Sequence, residues 1–167
     1  MIRKKICILG SFAVGKTSLV QRFVKGIFSE KYLTTLGVKI DKQSVRVDDK
    51  ELELIVWDLA GEDEFMKIRN SYLRGAAGYM LVVDGTRWET LDTAIDLKRR
   101  VDKEVAELPF ILLINKSDMK SHWTIENAHL EKLQSKGWNV METSAKKSEN
   151  VGEAFKALSV QLLEEND

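Results

Sequence analysis

Short apolar runs alternate along this chain with polar stretches of helical character. Residues 3–9, ending in Ile6-Cys7-Ile8-Leu9, predict a central strand, and the stretch from about Lys16 to Lys25 reads as a helix. Residues 26–37 show no period and read as a loop. Residues 38–47 and 51–58 are strand-like, and their short polar link Asp48-Asp49-Lys50 makes them an antiparallel hairpin. Ala60-Gly61 opens a second aperiodic stretch, followed by a helix from about Met66 to Leu73. Residues 78–84 predict a buried strand, and 91–106 a helix with apolar positions at Leu91, Ile95, Leu97 and Val101. Pro109 starts a strand over 110–114, Thr124 is placed to cap a helix reaching about Ser135, and 138–141 predict a last strand. An amphipathic helix over 151–163 closes the chain. Strands alternating with helices argue for an α/β protein with an open, mostly parallel sheet covered on both faces.

Ligands of such sheets sit beyond the carboxyl ends of the strands. The first strand runs into Gly10-Ser11-Phe12-Ala13-Val14-Gly15-Lys16-Thr17, of the form G-x-x-x-x-G-K-[ST], and a helix follows. That order is what a phosphate-binding loop needs. Glycine lets backbone approach phosphate, and the N–H groups of Ala13, Val14, Gly15, Lys16, Thr17 and Ser18 lie where a helix N-terminus faces an anion. Lys16 would reach the β- and γ-phosphates, and the Thr17 hydroxyl would ligate Mg²⁺. A Gly-containing turn of no function is the bland alternative, and the flanking strand and helix weigh against it.

Three further strand ends carry chemistry. Asp58-Leu59-Ala60-Gly61 offers a carboxylate for Mg²⁺ and a glycine whose N–H can approach a γ-phosphate. Alone, D-x-x-G marks an ordinary turn; beside a phosphate loop it does not. In Asn115-Lys116-Ser117-Asp118 the Asp118 carboxylate can accept two hydrogen bonds from the N1–H and N2–H₂ edge of guanine, a donor pair that adenine lacks. Adenine would leave that carboxylate unpaired, which discriminates strongly. The loop Ser144-Ala145-Lys146 would meet the guanine oxygen with its backbone.

Taken together, GSFAVGKT, WDLAG, NKSD and TSAK, in this order over residues 10 to 146, resemble the Ras superfamily of small GTPases. TTLGV, WDLAGEDEF and YLRGA are most similar to the Rab branch. The resemblance covers essentially the whole chain. It implies a P-loop NTPase fold of the small G-protein type, three layers α/β/α with a six-stranded, mostly parallel sheet and five helices. It implies a molecular switch that binds GTP and GDP with Mg²⁺ and hydrolyses GTP, with nucleotide-sensing segments at 26–37 and 61–74. Effectors would dock on those segments, and activating and exchange factors would act there. Carried over by position, Thr35 would join Thr17 and Asp58 around the metal and meet the γ-phosphate in the GTP state. Phe28 would pack against guanine, Tyr32 would lie over the phosphates, and Gly61 would donate to the γ-phosphate. Lys16, Gly61 and Glu62 would form the catalytic set.

Two residues depart from that pattern. Glu62 stands where the family places a water-positioning glutamine, and Phe12 fills a loop position usually held by a small residue. A carboxylate ~4 Å from a γ-phosphate charge is repelled by about 4 kcal/mol per charge pair at effective ε ~20. Glu62 would therefore swing away or take up a proton. Phe12 would crowd the attacking water and any partner's arginine. The first sensing segment offers only Lys31 as a basic side chain, so no arginine acts from it in cis. Slow intrinsic hydrolysis is the expectation. A nucleotide-bound interaction module with negligible hydrolysis is the rival reading, and a P-loop kinase or ATPase is another that leaves Asn115, Lys116 and Asp118 without a role.

Composition narrows the setting. At 167 residues the chain suits one domain, burying about 70% of its unfolded surface. Lys+Arg and Asp+Glu are both 26, so no net charge draws it to nucleic acid or anionic lipid. The single cysteine, Cys7, lies in the first apolar run as a buried, inert thiol, which fits a cytoplasmic setting. The sequence shows no membrane span and no C-terminal cysteine for a lipid anchor, so membrane contact would come through partners or a tail beyond this chain. A monomer is expected. His122 and His129 have no third ligand near them in sequence. The cluster Lys98-Arg99-Arg100 with Lys103 reads as a solvated helix face, and Trp88 and Trp123 as either partner contacts or burial against helices.

Overall fold

A computed structural model describes residues 1–24, 31–33, 38–59 and 70–165, with 31–33 as backbone only. The strands are β1 (Ile2–Gly10), β2 (Lys31–Leu33), β3 (Lys39–Val47), β4 (Lys50–Asp58), β5 (Ala76–Asp84), β6 (Phe110–Asn115) and β7 (Val140–Thr143). They form one sheet in the order β2-β3-β4-β1-β5-β6-β7. β1 pairs in parallel with β4 and β5, and β6 and β7 continue the parallel run. β3 returns antiparallel on β4, and the three-residue β2 adds a short strand at that edge to the six of the mostly parallel sheet. The helices among the described residues are α1 (Lys16–Phe23), α2 (Asn70–Leu73), α3 (Glu89–Glu104), α4 (Asn127–Ser135) and α5 (Val151–Glu164), with a 3₁₀ segment at Ser117–His122.

Strand alternation divides the core into two layers. Ile6, Ile8, Met80, Val82, Ile111 and Leu113 face one side, where Leu19 and Val20 of α1 and Phe155 and Leu158 of α5 cover them. Cys7, Leu9, Leu81, Val83, Leu112 and Ile114 face the other, under Leu91 and Val101 of α3, Leu130 and Leu133 of α4 and Tyr72 of α2. Both faces are buried, which is why the central runs are continuously apolar. Phe23 stacks on Phe155 with ring centroids 3.8 Å apart, joining α1 to α5. No helix among the described residues is long and apolar enough to cross a membrane.

Local departures from expectation have identifiable causes. Within the predicted loop 26–37, residues Lys31–Leu33 form β2 and pair antiparallel with β3, from Lys31↔Asp41 to Leu33↔Lys39. Three residues are too few to show a period. The hairpin link is only Asp48-Asp49, because Lys50 already pairs with Val47, and Asp48 takes φ 55 to close it. Thr124 does not cap α4. The helix begins at Asn127 after Glu126, and the Thr124 hydroxyl instead accepts the Trp88 N–H at 2.9 Å, tying the start of α3 to this loop. The predicted strand 138–141 begins two residues later, at Val140. Of the predicted helix 66–73, only Asn70–Leu73 falls among the described residues. The basic run of α3 is neutralised along its own helix by Lys98–Asp102, Arg99–Asp96 and Arg100–Glu104 pairs.

The register collects buried polar side chains at one rim. Ile8 lies opposite Asp58, Gly10 opposite Val82, Asp84 opposite Asn115, and Asn115 opposite Thr143. Asp58, Asp84, Asn115 and Thr143 are all buried, each at the carboxyl end of its strand.

Candidate functional site

The loop between β1 and α1 is held from behind by the sheet. Gly15 caps α1 with φ 105, and a Cβ there would fall 2.2 Å from Asn115 Nδ2. Glycine at this position is therefore required by Asn115 as well as by the turn. Lys16 is 5% exposed, and its ammonium donates to the carbonyls of Gly10 at 2.5 Å and Ser11 at 3.2 Å. Thr17 Oγ1 donates to Asp58 Oδ2 at 2.8 Å, placing a hydroxyl and a buried carboxylate side by side. Hard oxygen donors of this kind suit Mg²⁺. Phe12 behaves differently. It is 59% exposed, so its ring is not folded into the apolar core.

A cavity of about 590 Å³ opens beside this loop, lined among others by Gly15, Ser18, Asn115, Lys116, Asp118 and Ala145. Asn115 organises it. Its Nδ2 donates to Val14 O at 2.9 Å, while Oδ1 accepts from Thr143 Oγ1 at 3.2 Å and Ala145 N at 3.3 Å. One amide thus joins the phosphate-type loop, β7 and the loop 144–146. Ser144 Oγ donates to Asp118 Oδ1 at 2.8 Å and accepts the Lys147 N–H at 3.0 Å, fixing the carboxylate at the cavity edge.

Five residues absent from the motif reading complete the frame. Asp84, at the end of β5, is 1% exposed, and its Oδ2 accepts from Lys116 Nζ at 2.7 Å and Arg87 Nε at 3.0 Å. Thr86 donates to Oδ1 from both N–H and hydroxyl. Burial disfavours the charged carboxyl, but the hydrogen bonds from Lys116, Thr86 and Arg87 outweigh it and hold its pKa at about 2. Arg87 also donates through Nη2 to Phe12 O at 2.8 Å. Arg22 of α1 donates to the carbonyls of Ala145 at 2.7 Å and Lys146 at 2.9 Å. Trp123 donates from Nε1 to Lys116 O at 2.8 Å, and its ring covers Gly85, where a Cβ would meet it at 2.2 Å. Asp84 could have been read as a polar end to an apolar run. Arg22, Arg87 and Trp123 reach backbone carbonyls, which leave no mark in a sequence.

The structure therefore gathers Ala13 to Ser18, Asp58, Asn115, Lys116, Asp118 and Ser144 to Lys146 at one rim. Phe28, Thr35, Gly61 and Glu62 lie outside the described residues, as does the Tyr32 side chain. Trp88 is 58% exposed, whereas Trp123 is half-buried.

Residues 5–164 match the family model of the Ras family. The chain is 34% identical to Ras-related protein Rab-13 of Bos taurus over 161 residues, covering 95% of this chain and 79% of that protein. It is 35% identical to Rab-13 of Canis lupus familiaris over the same shares, and 34% identical to Rab-8B of Homo sapiens, there covering 95% and 78%. With the rim geometry above, these likenesses identify the chain as a member of the Ras family on its Rab-like side, a GTP-binding GTPase switch that uses GTP, GDP and Mg²⁺.

Proposed function

We propose that this GTPase is a slow switch, one that holds GTP for long periods and depends on a partner to discharge it. The observation that carries the reading is Phe12, exposed on the phosphate-type loop rather than packed into the core. A large ring at that point occupies room needed by an attacking water and by an incoming arginine. Glu62 adds a like charge where the family places a neutral amide.

Within this reading each rim residue has a task. Asp118, steadied by Ser144, accepts the N1–H and N2–H₂ edge of guanine, and the backbone of 144–146 meets the base oxygen. Asn115 and Lys116 hold the walls of that pocket. The N–H groups from Ala13 to Ser18 and the ammonium of Lys16 receive the phosphates. Thr17, Asp58 and Thr35 hold Mg²⁺, which when bound neutralises charge on the phosphate oxygens. Phe28 and Tyr32 close over base and phosphates, and Gly61 donates to the γ-phosphate. Segments 26–37 and 61–74 present the effector surface in the GTP state.

Single-turnover decay of preloaded GTP, with Mg²⁺ and no partner, tests this. Decay over hours is expected, and Phe12→Gly with Glu62→Gln should accelerate it at least tenfold. Decay within seconds, or an unchanged rate in the double variant, overturns the proposal.

A further inference from the structure

We propose that Arg87 is a positioning residue of the phosphate site, setting the direction of the Ala13 N–H by gripping the carbonyl that precedes it. The chain has no cis peptide bonds among the described residues, and in a trans peptide the C=O and the following N–H point in opposite directions. Arg87 Nη2 holds Phe12 O at 2.8 Å, and Asn115 Nδ2 holds Val14 O at 2.9 Å. These two grips turn the N–H groups of Ala13 and Gly15 to the opposite side of the loop. Ala13 sits at φ 61, a conformation that only stays populated when its neighbours are fixed.

The grip is itself anchored. Arg87 Nε donates to Asp84 Oδ2, the same oxygen that takes the Lys116 ammonium, and Asp84 is buried and charged. A guanidinium presents several donors in a rigid fork, so one side chain can hold the carboxylate and the loop carbonyl together. The arrangement gains importance when phosphate is present. Lys16 steadies the loop through the Gly10 and Ser11 carbonyls, but an ammonium engaged with phosphate gives up part of that service. Arg87 and Asn115 then remain as the grips on the loop's outward carbonyls. Arg87 acts on the phosphates through the backbone, and it is distinct from an arginine that touches the γ-phosphate.

The inference rests on guanine-nucleotide binding, and its test uses GDP with Mg²⁺ on the whole chain. In Arg87→Ala, release of a fluorescent GDP analogue should quicken ~10-fold, the size of effect expected for one hydrogen bond from a charged donor. The ³¹P resonance of the bound β-phosphate should shift while the guanine N1–H proton resonance stays in place. Arg99→Ala, which removes an exposed arginine paired to Asp96 on its own helix, serves as the control and should change neither. If Arg87→Ala does not fold, Arg87→Met, which keeps an apolar stem and removes every donor, carries the same measurements. Unchanged release and an unmoved β-phosphate resonance would overturn the proposal, as would a shift of both resonances together, which means general loosening of the pocket. A wild-type chain that fails to retain GDP would overturn the nucleotide reading as well.

Discussion

Removing the Asn115 side chain beyond Cβ would test how the rim is held together. Asn115→Ala deletes three hydrogen bonds, to Val14 O, Thr143 Oγ1 and Ala145 N, all within a site that is 3% exposed. At about 1 kcal/mol net for each bond, the nucleotide-free protein should lose about 3 kcal/mol. For a chain of this size that corresponds to a fall in melting temperature of roughly 6–12 °C. Loss of the Val14 grip alone should weaken GDP ~10-fold, since about 1.4 kcal/mol is a factor of ten. Urea denaturation without nucleotide and displacement of a fluorescent GDP analogue measure the two effects. Thr143→Val sharpens the test by removing only the bond at 3.2 Å, for about 1 kcal/mol. In the Asn115→Ala background it should cost nothing further, because its partner has gone. Strict additivity of the two substitutions would show that Asn115 is not the shared link, and the reasoning would fall.

Other outcomes follow from single groups. Asp84 has its pKa lowered from 3.8 to about 2, so its stabilising share is complete above pH 3.8 and is lost as pH falls through about 2. That share is about 2 kcal/mol, and the urea stability of wild type over Asp84→Asn should shrink across that window; a constant difference would contradict it. Gly15→Ala should destabilise the chain by about 1–3 kcal/mol through its φ of 105, and more through the clash with Asn115, as read by thermal melting. Cys7 is 0% exposed, and burial pushes its thiol up to about 12 against the opposing pull of Lys5. A thiol reagent at pH 8 should leave the native protein unmodified and label it fully in urea; rapid native labelling would refute the packing of β1.

The parts of the fold that could be read from sequence were those whose cause is local. In β4 the residues Leu52, Leu54, Val56 and Asp58 alternate inward, so the hairpin with β3 announces itself. The phosphate-type loop and the segments at Asn115 and Ser144 are contiguous strings at strand ends, and topology supplies their convergence. What stayed hidden depends on distant partners. Arg22 meets the carbonyls of 145 and 146 across more than 120 positions, and Arg87 meets Phe12 across 75. Thr124 has the chemistry of a helix cap, yet its hydroxyl is taken by the Trp88 N–H from another element. Residue type alone cannot say which of two backbone donors will claim an oxygen.

The central place of β1 has a consequence for synthesis. The strand leaves the ribosome ahead of its neighbours, which begin at Lys50 and Ala76, and of its covering helix α5, which begins at Val151. At about 5–20 residues per second, the apolar run 6–9 waits on the order of ten seconds for its full shelter. Nucleotide cannot hasten this interval, because Asp118 and the 144–146 loop emerge nearly as late. Shelter of that run therefore comes from completion of the chain rather than from the ligand.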